Sequence, residues 1–299
     1  MKRWIVAQIG ARQHYAIPRV FAARGELRAF YTDLWAGTRS RTARRLPAAL
    51  RRLGARSHPD LSPANVIAFN LRSLTDELHL RMRRRPANVA QQYERYMWIA
   101  RRFTRRVNRH LLAHGIDAQR DAYFGFTNGC LETLELLGER GVLTIADQID
   151  PGIVEEQLVI EEQQRWPGWQ PTPGRVPENY WQRLAAERAA ASYVLVNSQW
   201  SRRAYVQQGV PDEKIIVVPH AYEVGDATPP GRTDDGPLRV LYLGSVILRK
   251  GVPYLIEAAR QLVGRGVHID IVGRIDINLD AITDPPANVT FHGPVTRDR

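Results

Sequence analysis

Cysteine and lysine are nearly absent from this chain of 299 residues. Cys130 is the only cysteine, which excludes an intrachain disulfide and a zinc site built from cysteines. One thiol without a disulfide partner is typical of proteins in a reducing compartment. Because Lys2, Lys214 and Lys250 are the only lysines, arginine supplies nearly all the positive charge behind the net charge of +11.

Long hydrophobic runs are also absent. No apolar run approaches the roughly 18 to 20 residues that a membrane-spanning helix needs. The apolar run at the start of the chain is short and interrupted by Gln8, which predicts a first buried strand in preference to a signal peptide. We therefore expect a cytoplasmic protein whose membrane contact, if it has one, is peripheral and at the inner face.

The arginines form two clusters, one between Asp33 and Asp60, where no acid occurs, and one over residues 81–109. Apolar residues recur at helical spacing within the second cluster: Tyr96, Ile99, Phe103, Val107 and Leu111. This spacing predicts a basic amphipathic helix. Such a helix either rests on anionic lipid or packs its apolar stripe on the core, and we favour the core.

Short apolar segments alternate with amphipathic ones, which is the pattern of a parallel sheet covered by helices. Strands are predicted at residues 4–9, 27–31, 66–69, 122–126, 142–146, 193–196 and 215–218. Helices are predicted at residues 89–113, 130–140, 153–165, 178–190 and 199–208. The basic stretches 32–65 and 70–88 are interpreted as loops with short helices.

A polar segment with Gly and Pro throughout, residues 223–237, predicts a linker. Beyond it, strands are predicted at residues 238–243, 268–272 and 288–291, and a helix at residues 251–264. These elements form the opening of a second doubly wound domain. About 60 residues are fewer than such a domain contains. We therefore expect an α/β protein with two doubly wound Rossmann-type domains, residues 1–222 and 238–299, of which the second is incomplete.

Two turns between a strand and a helix contain candidate binding residues. Gly10, Ala11 and Arg12 follow the first strand, where a glycine permits a tight turn and the next helix offers free N–H groups to a phosphate or sugar. The dinucleotide fingerprint Gly-x-Gly-x-x-Gly is absent from this turn.

The second turn contains Gly244, Ser245, Arg249 and Lys250. Two neighbouring cations at the start of a helix suit a diphosphate. A Walker loop is absent, which disfavours ATP hydrolysis.

Residues 240–259, Val-Leu-Tyr-Leu-Gly-Ser-Val-Ile-Leu-Arg-Lys-Gly-Val-Pro-Tyr-Leu-Ile-Glu-Ala-Ala, resemble the donor-binding segment of family 4 glycosyltransferases, which have the GT-B fold. Residues 194–201 and 209–219 are similar to the closing N-domain segment of the same family. The likeness covers nearly the whole chain and is most specific over residues 193–293.

The resemblance implies a retaining glycosyltransferase that moves a sugar from a nucleoside-diphosphate sugar to a glycan or lipid-linked acceptor, in bacterial surface polysaccharide or glycolipid synthesis. It implies an acceptor-side N-terminal domain, a nucleotide-sugar-binding C-terminal domain, and neither cofactor nor metal. The absence of an Asp-x-Asp motif fits the last point.

The same resemblance assigns roles to the candidate residues but identifies no catalytic one. The donor diphosphate is expected at Lys250, with Arg249, Ser245 and Gly244 beside it. The Gly10, Ala11 and Arg12 loop would close on the donor, and Gly273 and Gly293 would lie near the base. Two residues in turns after strands, Asn128 and Asp147, are candidate acceptor contacts.

The sequence departs from the family pattern in three places. Ser245 stands where many members have a diphosphate-binding arginine, and residues 144–149 lack the histidine of a His-Asp pair. The family's Glu-x7-Glu segment would follow residue 299, so the resemblance implies a C-terminally truncated chain and leaves open whether it is active by itself.

Two other functions stay open. One is a sugar-nucleotide epimerase of the same fold, and the other is a non-catalytic basic protein that binds a membrane or nucleic acid. No helix-turn-helix, RNA-binding sheet or zinc module is recognisable, so nucleic acid is not an expected partner.

Overall fold

The computed structural model describes residues 1–36, 56–83, 85–171, 174–221 and 236–295. They fall into two units, Met1–Gly152 with Gly174–His220, and Ile153–Pro173 with Ala221–Arg299. The predicted first domain, residues 1–222, included residues 153–173, but these belong to the second unit. Except for its last two residues, the predicted linker 223–237 lies outside the described residues.

A parallel sheet of seven strands is the centre of the first unit. The strands are β1 (Arg3–Gln8), β2 (Leu27–Thr32), β3 (Val66–Ala68), β4 (Asp121–Phe126), β5 (Leu143–Asp147), β6 (Tyr193–Val196) and β7 (Ile215–Val217). Their order is β3-β2-β1-β4-β5-β6-β7, and every neighbouring pair is parallel. The strand order reverses direction between β1 and β4, and the carboxyl ends at such a point are where ligands bind in open α/β sheets.

Helices connect these strands. In chain order they are α1 (Ala16–Ala23), α2 (Asn70–Met82), α3 (Val89–His114) and α4 (Leu131–Gly138), followed in the second unit by α5 (Ile153–Arg165) and again in the first by α6 (Glu178–Ala190) and α7 (Gln199–Gln207). None of the helices in the described ranges combines the length and apolar composition that crossing a bilayer requires.

Both faces of the seven-stranded sheet are covered, because side chains alternate along each strand. Ile5 and Ala7 of β1 lie in one core with buried residues of α3 and α4. Val6, between them, lies in a second core with Phe30 and Phe124, against which α1 packs. The first unit is therefore doubly wound, as predicted.

The amphipathic helix predicted in the second arginine cluster is α3. Phe103, Val107 and Leu111 of its apolar stripe are buried in the core, with Leu134 of α4 beside them. The core-facing interpretation is therefore confirmed, and this stripe is not available to lipid. The first arginine cluster lies outside the described residues, apart from Arg56.

The interpretation of residues 70–88 as loops with short helices was wrong for residues 70–82, which form the 13-residue helix α2. Asp76 is the buried residue of this helix, and it forms ion pairs with Arg102 and Arg106 of α3. Because the helix turns a carboxylate and not its leucines towards the protein, its apolar spacing did not show which face would be buried.

The second unit contains a parallel sheet in the order β10-β9-β8, formed by β8 (Leu238–Leu243), β9 (Val267–Val272) and β10 (Val289–Gly293). Helix α8 (Val252–Gln261) packs on one face of it, with Ile256 against Ile269 and Ile271. All three strands were predicted within two residues of their observed ends.

The segment 153–171 belongs to this second unit for a specific reason. Trp169 is buried in its core, the carbonyl of Trp169 accepts a hydrogen bond from the N–H of Asn278 at 2.6 Å, and Gln170 Oε1 accepts one from the N–H of Leu248 at 3.0 Å. Buried tryptophans contribute a large apolar area to a small core. These contacts were not evident from the helical spacing of the segment.

Candidate functional site

Polar side chains meet at the carboxyl ends of β1, β4 and β5. Ala7 is paired with Gly125, and Phe126 with Asp147, so Gln8 and Asp147 lie at the same level of the sheet on either side of β4. Asn128 follows β4 by two residues, and Arg12 lies in the 3₁₀ turn Arg12–Tyr15 after β1. We call Gln8, Arg12, Asn128 and Asp147 the polar cluster.

Each member of the polar cluster has one buried side-chain atom without a hydrogen-bond partner in the described part of the chain. These atoms are Gln8 Oε1, Arg12 Nη1, Asn128 Oδ1 and Asp147 Oδ2. Buried polar atoms are nearly always hydrogen-bonded, so each exception needs an explanation. Four of them at the carboxyl edge of one sheet indicate a place where a polar ligand or ordered water completes the network.

Within the polar cluster, the carboxyl group of Asp147 has a pKa far from its ordinary value. Burial raises its pKa to about 7, and the positive charge of Arg12 offsets only part of that rise. Near neutral pH the group therefore exists in both protonation states. When protonated, such a carboxyl group can donate a hydrogen bond to a substrate hydroxyl, and when ionised it can accept one from it.

The loop after β1 is held in an unusual conformation. Gly10 has a φ of 86° and donates its N–H to Asp33 Oδ1 at 2.9 Å, and Gln8 Nε2 donates to the carbonyls of Gly10 and Arg12 at 2.8 and 3.1 Å. The next residues after Arg12, numbers 13 to 15, have φ values of 49°, 48° and 61° although none is glycine. Such left-handed residues are strained, and the strain concentrates at functional sites.

Asn128 is positioned by a residue that sequence reasoning missed. Its φ is 66°, and its N–H donates to Glu187 Oε2 at 2.9 Å. The carboxylate of Glu187, fully buried on α6, also accepts from Gln148 Nε2 at 3.3 Å. A signal was present, since Leu184, Glu187 and Ala191 share one helical face and an acid in an apolar stripe is unusual.

Three glycines line the carboxyl edge of the sheet in the second unit. The N–H of Gly244 donates to the carbonyl of Val272 at 2.9 Å, and the N–H of Gly273 donates to the carbonyl of Gly293 at 2.9 Å. A Cβ added to Gly273 would clash with Gly244. The predicted donor residues Gly244, Gly273 and Gly293 therefore form one row across the ends of β8, β9 and β10.

The two cations of the second turn have different surroundings. Both lie in the 3₁₀ turn Leu248–Lys250 before α8, and both are exposed. Arg249 Nη1 is 2.7 Å from Glu155 Oε1 of α5, whereas the ammonium group of Lys250 has no ion pair or hydrogen bond within the described ranges. Lys250 is thus available to an anion, and Arg249 has to leave Glu155 before it can bind one.

Ser245 and Ala11 are the remaining predicted site residues. Ser245 is exposed, and its carbonyl accepts a hydrogen bond from the hydroxyl of Tyr242 at 2.8 Å. Ala11 is exposed beside Gly10. In the part of the chain that the structure describes, no three His, Cys, Asp or Glu side chains are grouped so that they could hold a metal ion.

No protein-family profile matches the chain, and no curated protein does. Among solved structures, it is similar to the lipopolysaccharide outer core galactosyltransferase WaaB in its apo form, at 12% identity and a TM-score of 0.49 over 99% of this chain and 69% of WaaB. It is also similar to UGT89C1 of Arabidopsis thaliana complexed with UDP-L-rhamnose, at 11% identity and a TM-score of 0.48 over 100% of this chain and 71% of that one.

Anabaena HepE in complex with UDP is a third similar structure, at 14% identity and a TM-score of 0.46, covering 99% of this chain and 70% of HepE. These identities and scores are low. The α/β architecture described above rests on the strand order and registers of this chain itself.

Proposed function

We propose that this chain binds a nucleoside-diphosphate sugar and transfers the sugar to a glycan or lipid-linked acceptor, as a retaining glycosyltransferase of the GT-B type in bacterial surface polysaccharide or glycolipid synthesis. The observations that carry the proposal are the row of Gly244, Gly273 and Gly293 and the exposed Lys250, whose ammonium group has no ion pair among the described residues. The resemblance of residues 240–259 to a donor-binding segment supports the same function.

The donor end of the reaction is assigned to the second unit. In the transfer, the bond between the sugar C1 and the diphosphate oxygen breaks, the acceptor oxygen bonds to C1, and the acceptor proton is released. The leaving nucleoside diphosphate gains negative charge at the oxygen that C1 leaves. The ammonium group of Lys250 would stabilise that charge, and stabilisation of developing charge is commonly the largest contribution to catalysis.

The acceptor end is assigned to the polar cluster of the first unit. The unpartnered atoms of Gln8, Asn128 and Asp147 can bind several hydroxyl groups, which is the chemistry that a sugar presents. In its ionised form Asp147 would accept a hydrogen bond from the reacting hydroxyl and orient it. Neither a metal nor a cofactor has a part in these steps, and we expect a cytoplasmic location because nucleoside-diphosphate sugars are made there.

The test is thermal-shift titration of the chain with UDP-, GDP- and ADP-sugars, followed by an assay for sugar transfer. We expect one nucleotide to raise the Tm selectively. Lys250→Ala should weaken that binding by about tenfold or more, since a hydrogen bond to a charged group is worth roughly 1.5 to 3 kcal/mol. Arg265→Ala is the matched control, because Arg265 is an exposed cation outside the glycine row.

Four results would count against the proposal. If no nucleoside-diphosphate sugar stabilises the chain, the donor assignment is wrong. Equal affinity of Lys250→Ala and the parent chain would remove Lys250 from the site. Turnover of the donor without any acceptor, giving the epimeric sugar nucleotide, would identify an epimerase. Transfer that EDTA inhibits would contradict the metal-free reaction.

A further inference from the structure

Helix α2 presents a stripe of apolar side chains to solvent. The side chains of Leu71, Leu74, Leu78 and Met82 are 76%, 43%, 58% and 73% exposed. Their spacing of three, four and four residues places them on one face of the helix. Single exposed leucines are ordinary on protein surfaces, but a continuous exposed stripe indicates an interaction site.

The opposite face of α2 is fastened to α3, so the stripe cannot turn inwards. Asp76 Oδ1 is 2.8 Å from Arg102 Nε, and its other oxygen pairs with Arg106. The ring of His79 stacks on Trp98 with a centroid separation of 5.6 Å. Breaking a buried ion pair to bury the leucines instead would cost several kcal/mol. The outward orientation of the stripe is therefore a stable property of this helix pair.

The surroundings of the stripe are positively charged. The exposed guanidinium groups of Arg72, Arg81, Arg83 and Arg85 lie on α2 or directly after it, and those of Arg101 and Arg105 lie on the neighbouring α3. Glu77 is the exposed acid of α2, and it pairs with Arg81. An apolar stripe with an excess of arginine around it matches the two parts of an anionic bilayer surface, the acyl boundary and the phosphate headgroups.

We propose that α2 lies in the headgroup region of an anionic phospholipid bilayer, with Leu71, Leu74, Leu78 and Met82 in the acyl boundary and Arg83 and Arg85 on lipid phosphates. For the stripe of α3, lipid contact was the less favoured of two alternatives, and that stripe is buried. This binding goes beyond the proposed transfer reaction and does not depend on it.

The docked helix would be connected to the candidate acceptor site through two short links. Asn70, the first residue of α2, accepts a hydrogen bond from the N–H of Trp35 at 2.8 Å and donates to the carbonyl of Trp35 at 2.9 Å. Two residues earlier, Asp33 accepts the hydrogen bond from Gly10. The start of α2 and the Gly10 loop therefore share the carboxyl edge of one sheet, and an acceptor held in the bilayer would reach that edge.

The experiment is cosedimentation of the full chain with vesicles of phosphatidylcholine alone, or of equal parts phosphatidylcholine and phosphatidylglycerol, without any sugar nucleotide. We expect binding to the anionic vesicles only, and its loss in about 1 M salt, where charges are screened within roughly 3 Å. Arg83→Gln with Arg85→Gln should weaken binding about 30-fold, because each arginine near an anionic surface contributes about fivefold. The control is the double variant Arg120→Gln with Arg265→Gln, which loses the same positive charge at two other exposed positions.

A second variant tests the apolar stripe itself. Leu71→Gln with Leu78→Gln keeps the charge and should weaken vesicle binding by about tenfold or more, with an unchanged Tm since both side chains are exposed. Leu112→Gln with Val206→Gln changes two exposed apolar residues elsewhere on the first unit and should bind like the parent. Equal binding to both vesicle types, or full binding by the Leu71 and Leu78 variant, would overturn the proposal. It would also be overturned if light scattering showed a dimer that this variant converts to a monomer, because the stripe would then be a subunit interface.

Discussion

A Cβ atom on Gly273 would lie 1.8 Å from the carbonyl oxygen of Gly244. The two residues end neighbouring strands, β9 and β8, and the φ of Gly273 is 149°. Real Cβ atoms do not approach a backbone oxygen so closely, and a backbone oxygen cannot move as a flexible side chain can. The strand ends therefore meet at a distance that glycine alone permits.

Gly273→Ala is expected to destabilise the second unit strongly. The clash requires the ends of β8 and β9 to separate, which should lower the free energy of unfolding by about 3 kcal/mol or more. Gly264→Ala is the control, because Gly264 also has a positive φ, 75°, but has no atom within 4 Å of an added Cβ. That change should lower the free energy of unfolding by only about 1 kcal/mol. Urea unfolding of both variants measures the difference, and similar losses would contradict the close approach.

Glu132→Gln is expected to destabilise the first unit and to change its response to acid. Arg183 donates to both carboxylate oxygens of Glu132, at 2.8 and 2.9 Å. Burial alone would raise the pKa of Glu132, but the hydrogen bonds and charge of Arg183 hold the pKa to about 2. The variant leaves the buried Arg183 without its partner, which should cost about 3 kcal/mol at pH 7.

The pH dependence of this effect follows from the direction of the shift. Because the folded pKa of Glu132 is depressed, its ionisation stabilises the fold above the ordinary pKa of 4.5, and the stabilisation is lost as the pH falls towards 2. The difference in the free energy of unfolding between parent and Glu132→Gln should therefore shrink by about 2 kcal/mol between pH 6 and pH 2.5. Glu139→Gln, at an exposed position directly after the same helix, should show no such change. A difference independent of pH would mean that Glu132 does not ionise at a low pKa.

Asp147→Asn is expected to stabilise the protein at alkaline pH. Burial raises the pKa of Asp147 from 3.8 to about 7, so ionising the folded protein is unfavourable and stability falls as the pH rises from about 4 to 7. Asparagine removes that penalty, and the variant should exceed the parent by up to about 4 kcal/mol at pH 8 and by little at pH 4.5.

Urea unfolding at the two pH values checks this prediction. The exposed Glu94→Gln is the control, which should leave the difference in stability between the two pH values unchanged. If the difference in the free energy of unfolding between Asp147→Asn and the parent is the same at pH 4.5 and pH 8, then Asp147 ionises normally. The pKa is lowered for Glu132 and raised for Asp147, so the two pairs of measurements separate the effect of an arginine partner from that of burial.

The alternation of short apolar and amphipathic segments was enough to predict the ten strands of the described residues, each within two residues of its observed bounds. Strand and helix periods are local properties of a chain, so a buried strand such as β4 is visible in its own residues. The turns after strands that contain Gly10, Asn128, Gly244 and Gly273 could be located for the same reason. Parallel strands place such turns at one edge of a sheet, which is why these positions could be chosen as candidates.

Only the tertiary structure decided which partners these residues have. Helical spacing did not show that Arg249 pairs with Glu155, because the two residues are almost a hundred positions apart in the chain. It also did not show that Lys250 has no ion pair among the residues that the structure describes. Nor did it show that Glu187 holds Asn128, or that α2 turns Asp76 inwards and its leucines outwards. Hydrogen bonds and ion pairs act over a few ångströms in space, whatever the separation along the chain. The sequence by itself determined which segments become strands and which turns can hold a ligand, and the packing of those segments decided which side chains are left free to bind one.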